Sequence, residues 1–401
     1  MLSIFDEGFA REPWGVLRSL REDGGVHRVA TPDGPPAWLV TRYTDVRGGL
    51  LDDRLSVNLQ HAHGEDYRGF AVPAPLDVFQ TSGPTELARL RGTVVGELRK
   101  AGEWSDRAAA ATRACLGELD GAGEFDFMER VALPLPALVL GQLLGLADGE
   151  RDELAGWAES TLRPGAAPRA RDTLATMQRI ITAIVARERD DPHDNMVGRL
   201  VRAGIGGGPA GSAELGGLLF YLLFVWYEVL MDVLGGAVLT LSADSDARET
   251  LSAVPDRTVA VDELLRFLSP QVLSAPRFAI TELEIGGQRI AAGETVLLCL
   301  AAANRDPERF RAPDALDLRR GVNPHLALGH GAHACVGTGF VKPVVGAILA
   351  EIYTRLPGLR VEAGASAIGW RSGFRHRGPI ALPVTGAGVD RVGRAASIAP
   401  L

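Results

Sequence analysis

A single cysteine stands in a glycine-rich loop near the carboxyl end of the chain, in the run Leu328-Gly329-His330-Gly331-Ala332-His333-Ala334-Cys335-Val336-Gly337. The glycines on both sides allow positive φ angles and a close approach of the backbone to a flat ligand. Cys335 has no C-x-x-C partner, so its spacing favours neither a zinc site nor a disulfide. A lone thiolate offered by a tight loop suits haem iron, and Cys335 is the predicted metal ligand.

This loop resembles the cysteine loop of the cytochrome P450 family, F-G-x-G-x-H-x-C-x-G, with Leu328 in place of the usual Phe. Upstream, Glu263 and Arg266 resemble the family's structural E-x-x-R pair, and their i,i+3 spacing puts both side chains on one helix face. Residues 303–310 resemble a segment whose arginine, Arg305 here, joins that ion pair beneath the haem in the family. The resemblance covers essentially residues 10–385.

The resemblance implies a mainly α-helical cytochrome P450 fold with a minor β region. It also implies haem b as the cofactor, buried between a long distal helix and the proximal cysteine loop. The sequence pattern agrees, because residues 84–268 have almost wholly helical periodicity and short apolar strands separated by glycine pairs follow them. The helical pattern is clearest at residues 129–147, 170–188 and 213–243. The irregular residues 57–80 fit a mobile loop that covers a pocket, and they fit an ordinary surface excursion as well.

Composition limits the remaining possibilities. With 401 residues, 46% of them hydrophobic, and with no repeat or linker, one domain over residues 1–386 and a mobile tail over 387–401 are expected. The net charge of -8 argues against nucleic acid as a partner. No signal-peptide pattern begins the chain, and the longest apolar run, residues 215–230, is short for a membrane span. A cytoplasmic protein without membrane contact is therefore expected.

The resemblance also implies partners for the two haem propionates, which need cations or hydrogen-bond donors when buried. Arg91 ends a segment similar to the family's H-T-R-L-R, Arg277 follows a Ser-Ala-Pro run, and His333 precedes the cysteine by two residues. The histidine of that segment is replaced by Leu87, so one propionate contact of the family is absent. The predicted cofactor-binding residues are Arg91, Arg277, Gly329, His333, Cys335 and Gly337.

The predicted distal helix departs from the family pattern A-G-x-[DE]-T-[TV], in which small residues leave room for oxygen and the acid and alcohol relay protons. Aligned on Glu228, Trp226 replaces the glycine, and Val229 replaces the threonine and can donate no hydrogen bond. Glu228 is therefore the predicted catalytic residue. The predicted substrate pocket is lined by Trp226, Val229, Val272 and Leu273.

Two functions remain open at this point. In the first, the protein oxidises a hydrophobic small molecule of secondary metabolism by monooxygenation, with electrons from a ferredoxin-type donor because no reductase domain is fused. In the second, oxygen activation has been lost and the haem pocket catalyses a cyclisation, isomerisation, dehydration or peroxide-driven step. Trp226 is relevant to both, because its ring either points at the iron and fills the oxygen site or packs into the core. A haem-binding protein without catalysis is the least favoured alternative.

Overall fold

The computed structural model describes residues 1–32, 34–62, 78–99, 102–119, 123–162, 170–205, 208–254, 256–362, 367–371 and 374–386. The tail expected over residues 387–401, and residues 63–77 of the irregular segment 57–80, lie outside this part of the chain. Within it, the helices are α1 (Glu7–Arg11), α2 (Trp14–Glu22), α3 (Tyr43–Leu51), α4 (Val78–Thr81), α5 (Pro84–Leu98), α6 (Gly102–Gly117), α7 (Leu135–Leu144), α8 (Asp148–Leu162), α9 (Ala170–Asp190), α10 (Met196–Arg202), α11 (Gly208–Ser242), α12 (Ser245–Ala253), α13 (Thr258–Leu268), α14 (Leu300–Ala303) and α15 (Thr338–Arg355).

The strands form three sheets at the edge of the helical body. They are β1 (Val26–Val29), β2 (Ala37–Val40), β3 (Leu55–Ser56), β4 (Glu124–Asp126), β5 (Arg277–Ala279), β6 (Leu283–Ile285), β7 (Gln288–Ile290), β8 (Thr295–Leu298), β9 (Arg360–Val361) and β10 (Pro383–Thr385). The largest sheet has the order β1-β2-β8-β5-β3, with β2 and β8 parallel and the other pairs antiparallel. β10 lies between β4 and β9, and β6 and β7 form a hairpin. The hairpin turns at Gly286 and Gly287, both with positive φ, as a tight two-residue turn requires.

The long helix α11 is the central element of the core. It packs against α7, α9 and α13 and also contacts α15. Its segment Glu214–Ser242 is apolar and long enough to cross a membrane by composition, but 67% of its most apolar window is buried inside the molecule. A helix that is apolar on all sides and covered by other helices is a core helix. α11 therefore builds the interior of this fold.

The mainly helical architecture with a minor β region is confirmed, and two local predictions differ from the structure. The helix expected over residues 129–147 is split into a π-helical turn at Met128–Ala132 and α7. Pro134 separates the two, and Gly145 ends α7 in the left-handed region with a φ of 74°. Strand β4 lies inside the region expected to be almost wholly helical, where it pairs with β10 near the carboxyl end of the chain.

Glu263 and Arg266 on α13 form a completely buried ion pair on the proximal side of the fold. The guanidinium donates two hydrogen bonds of 2.8 Å to the carboxylate and further bonds to backbone oxygens, among them those of Asn304 and Ala315. Buried charges need this degree of pairing to offset the loss of hydration. The predicted E-x-x-R pair is therefore present.

The third member of this network differs from the sequence prediction. Arg320, not Arg305, reaches Glu263, with its Nε 3.0 Å from Oε2. Arg305 instead donates to Asp314 at 2.9 Å and lies 3.6 Å from the centre of the Trp14 ring. The assignment of Arg305 to the ion pair was wrong because the irregular chain after α14 turns Arg320 back toward α13, which no local pattern reveals.

Replacing Glu263 with glutamine should lower the free energy of unfolding by about 3–5 kcal/mol, because Arg266 is then left buried without a counter-charge. Burial favours a higher pKa for Glu263, but hydrogen bonds from Arg266 and the amide of Asp317 outweigh it and lower the pKa. The carboxylate therefore stabilises the fold above its unfolded pKa of about 4.3, and this contribution is lost as the pH falls through the lower folded pKa.

Chemical denaturation of the wild type and of Glu263→Gln at pH 7 and below pH 4 measures both effects, with a narrower gap expected at the acidic pH. Glu282→Gln is the control, because Glu282 forms an exposed pair with Arg289 and should change the free energy of unfolding by less than about 1 kcal/mol. Equal losses in the two variants would contradict the prediction.

Candidate functional site

A large cavity lies between α11 and the loop that carries Cys335. Its volume is about 1490 Å3, counted with its opening to solvent. Its lining is mostly apolar with a few polar and basic groups, which is typical of small-molecule sites. Tyr221, Val225, Trp226 and Val229 form part of the wall on α11.

The cysteine loop presents its thiol to this cavity. Gly329 and Gly331 have φ angles of 69° and 74°, which permit the tight path. The amide of Cys335 donates to the Leu328 oxygen at 2.7 Å, and the amide of Gly337 donates to Cys335 Sγ at 3.3 Å. Burial raises the pKa of the Cys335 thiol, while the Gly337 amide and the charge of Arg91 oppose this shift. The loop thus supports a thiolate once a cation is bound to it.

The other two cysteines do not take part. Cys115 and Cys299 are buried in the core and do not line the cavity. Burial raises the pKa of Cys115 to about 11 and that of Cys299 to about 12. Cys335 is therefore the thiol suited to bind a metal at the cavity.

Three basic side chains converge on the same cavity: Arg91 from α5, Arg277 from β5 and His333 from the loop. Arg277 is 4% exposed, and its Nε has no hydrogen-bond partner among the described residues. Burial lowers the pKa of Arg277 to about 10. Burial and the charges of Arg277 and Arg91 lower the pKa of His333 to about 4.

No aspartate or glutamate among the described residues lines this cavity. Buried cations without a counter-charge are costly, so the basic cluster is complete only with an anionic ligand. Two carboxylates attached to a flat apolar cofactor would satisfy it. The cavity thus combines an apolar wall with the Cys335 thiol and with Arg277, whose Nε lacks a hydrogen-bond partner among the described residues.

The geometry agrees with comparisons against known proteins. A model of the family described as Cytochrome P450 matches residues 242–355. Cytochrome P450 107B1 of Saccharopolyspora erythraea is 32% identical over 396 residues, which cover 96% of this chain and 97% of that protein. The chain belongs to the cytochrome P450 family.

Two further comparisons support this membership. The 6-deoxyerythronolide B hydroxylase of S. erythraea is 32% identical over 373 residues, covering 88% of this chain and 90% of that protein. The structure of the cytochrome P450 PksS of the Bacillus subtilis bacillaene polyketide synthase superposes with a TM-score of 0.86 at 26% identity. That superposition covers 96% of this chain and all of the other.

The P450 family implies a haem-thiolate cofactor, and the residues of this cavity fit it. Cys335 supplies the sulfur, and Arg91, Arg277 and His333 supply the positive and hydrogen-bonding groups that two propionates need. Gly329 lines the cavity as well. Gly337 does not line it but donates its amide to the sulfur.

Trp226 combines the two orientations considered from the sequence. Its ring lines the cavity and also packs on Phe340 of α15, with ring centres 5.3 Å apart and ring planes 18° apart. A Cβ at position 337 would lie 2.4 Å from its Cζ2. The indole therefore extends from the distal helix to the proximal loop.

The structure pairs Glu228, the predicted catalytic residue, with an arginine away from the cavity wall. Glu228 does not line the cavity and is paired with Arg371, whose Nη1 lies 2.9 Å from Oε1. Asp232, one turn further along α11, lies 3.2 Å from Nε of the same arginine. Burial raises the pKa of Asp232, against the charge of Arg371. Arg371 comes from the chain before β10, more than a hundred residues away, and no sequence pattern predicts this pairing.

The prediction that Val272 and Leu273 line the pocket is also wrong. Both are at most 1% exposed and pack in a core cluster with Leu17 and Leu39. The neighbouring residues Pro270, Gln271, Ser274 and Ala275 line the cavity instead. The prediction located the segment correctly but not the directions of its side chains. The segment is irregular, so no helical or strand periodicity indicates which side chains face the cavity.

Replacing Arg277 with methionine should accelerate haem loss about 10- to 100-fold, because a charge-assisted hydrogen bond contributes about 1.5–3 kcal/mol. Haem transfer to excess apomyoglobin measures the rate. Arg289→Met is the matched control, since Arg289 is exposed on β7. Equal rates in the two variants would count against propionate binding by Arg277.

Replacing Glu228 with glutamine should lower the free energy of unfolding by about 1–3 kcal/mol, as expected for a half-buried ion pair. Arg371→Met should have a similar effect, and the double variant should lose less than the sum. The CO spectrum of the reduced protein should not change in Glu228→Gln, since this side chain is away from the cavity wall. An altered CO spectrum with unchanged stability would restore Glu228 as a residue of the active site.

Proposed function

We propose that this protein is a haem-thiolate monooxygenase that oxidises a hydrophobic small molecule in secondary metabolism. The observation that carries the proposal is the cavity shared by the Cys335 thiol and a basic cluster without a counter-charge, Arg91, Arg277 and His333. In this proposal Cys335 would supply the thiolate that binds the haem iron, and the basic cluster would bind the propionates. Bound in this way, haem supplies oxygen activation, which a thiolate ligand favours.

The chain's own residues bind and orient the substrate. Leu50, Val57 and Val225 offer apolar surface to a hydrophobic molecule. Gln271 and Tyr221 offer polar groups that fix its orientation. This combination of a large apolar wall and few polar groups favours a bulky, mostly apolar substrate.

The named relatives support oxidative tailoring. One is a 6-deoxyerythronolide B hydroxylase, and the P450 with the superposed structure belongs to a bacillaene polyketide synthase. We extend from them to a polyketide-like substrate class for this chain. A separate ferredoxin-type protein would supply electrons, and the enzyme would act in the cytoplasm.

A second candidate function is a step without oxygen activation, such as a cyclisation, isomerisation, dehydration or peroxide-driven reaction. The observation in its favour is the wall of α11, where Val225 and Val229 face the cavity and offer no hydroxyl group. Glu228 is turned toward Arg371, so the usual acid and alcohol are both absent from this wall. A proton would then come from the substrate or from water.

The two functions differ in what turnover requires. The reduced protein under CO should show the Soret band typical of a thiolate ligand, Cys335→Ser should lose it, and Cys115→Ser should keep it because Cys115 is buried in the core. A Soret shift on titration with hydrophobic polyketides, starting with 6-deoxyerythronolide B, identifies a substrate for turnover.

Turnover is then followed by mass spectrometry with ferredoxin, ferredoxin reductase, NADPH and oxygen, each omitted in turn. A product that gains one oxygen atom only in the complete mixture is expected. Product formed without reductant and oxygen would overturn the monooxygenase proposal in favour of the second function. A reduced protein without the thiolate-type band would overturn both.

A further inference from the structure

The distal helix and the proximal loop are in direct contact at one point. The indole of Trp226 lies so close to Gly337 that a Cβ there would be 2.4 Å from Cζ2 and 2.8 Å from Cη2. Contacts this short do not occur between well-packed carbon atoms, so no residue with a side chain fits opposite this ring without displacement. Trp226 and Gly337 are complementary in size.

Gly337 is also joined to the thiol. Its amide donates to Cys335 Sγ at 3.3 Å. Its carbonyl oxygen accepts from the amides of Phe340 and Val341 in the first turn of α15. Gly337 therefore links the hydrogen bond to sulfur, through its N–H, with the first turn of α15, through its carbonyl oxygen.

The indole also packs against aromatic side chains of the core. Phe340 stacks on it at 5.3 Å, and Phe340 makes an edge contact with Trp104 of α6 at 5.9 Å. Trp104 is 3% exposed and Phe340 is 3% exposed. Stacked and edge-on aromatic pairs in a core have few alternative rotamers, so Trp226 is braced against Gly337.

We propose that Trp226 is a positioning residue for the proximal thiolate: from the distal helix, its indole holds Gly337 where the amide donates to Cys335 Sγ. The proposal rests on thiolate ligation by Cys335 and not on the reaction that follows. Trp226 thereby influences the metal from the sulfur side, in addition to narrowing the cavity above it.

Losing the contact between Trp226 and Gly337 should change the reduction potential of the haem-loaded protein. A hydrogen bond to a ligating thiolate withdraws electron density from sulfur and thereby stabilises the reduced metal. Loss of the Trp226 contact lets Gly337 move and weakens that hydrogen bond. The reduction potential of the haem-loaded protein should then become more negative.

Spectroelectrochemical titration of the haem-loaded variants tests this. Trp226→Ala should shift the potential to more negative values, whereas Trp226→Phe keeps a ring against Gly337 and should shift it less. Val229→Ala is the matched control, because it widens the same cavity from α11, whereas the atoms nearest to a Cβ at position 337 all belong to Trp226. A shift in Val229→Ala as large as that in Trp226→Ala would assign the effect to water entry and overturn the proposal.

A double-mutant cycle isolates the contact. Gly337→Ala should by itself shift the potential in the same direction, since its Cβ collides with the indole. In the Trp226→Ala background the same Cβ enters vacated space, so the double variant should lie closer to the wild type than the sum of the two shifts. Strictly additive shifts would show that the two residues do not act together.

If Gly337→Ala fails to bind haem, amide hydrogen exchange provides a second test that does not need this variant. Protection of the Gly337 amide should fall in Trp226→Ala and stay close to the wild-type level in Val229→Ala. Unchanged protection in Trp226→Ala would overturn the proposal. A wild type with the thiolate-type CO spectrum but with no difference among these variants refutes this inference alone, whereas a wild type without that spectrum refutes it together with the proposed function.

Discussion

The buried ion pair of Glu263 and Arg266 holds the irregular chain that leads to the thiol loop. Arg266 donates to the Asn304 oxygen, and the side chain of Asn304 accepts from the amide of Leu326, two residues before that loop begins. Glu263 also accepts from the amide of Asp317. The backbone hydrogen bonds of the long segment between α14 and α15 are mostly short-range turns, so these side chains help to define its path by joining it to α13 and α14. Cys335 faces the cavity because this path is defined.

The cavity itself is electrostatically incomplete in the protein alone. Burial lowers the pKa of Arg277, and burial together with the charges of Arg277 and Arg91 lowers the pKa of His333. The free-energy cost of burying these basic groups would be offset by a dianionic cofactor. The thiol of Cys335 lines the same cavity. The same space thus contains features that a core optimised for stability would avoid, which is a common property of binding sites.

The parts of the site that could be predicted from sequence are those encoded within a few neighbouring residues. The spacing of Gly329, Gly331 and Cys335 predicted the loop, and i,i+3 spacing predicted the pair of Glu263 and Arg266. Helical periodicity predicted α9 and α11 to within a few residues. The placement of Arg91, Arg277 and His333 at the cavity followed from family resemblance and agrees with the structure.

Other features depend on contacts between distant parts of the chain. Arg320 forms the ion pair with Glu263 that was expected of Arg305. Glu228 pairs with Arg371, and Trp226 lies against Gly337 at the start of α15. Each of these contacts joins residues separated by dozens to more than a hundred positions, so neither spacing nor periodicity carries information about them. The sequence therefore identified the cysteine loop, whose glycines and cysteine lie within a few residues of one another, and it identified the family through the resemblance of its motifs. The partners of the distal residues followed only from folding, because long side chains bind whichever groups the packed helices bring within reach.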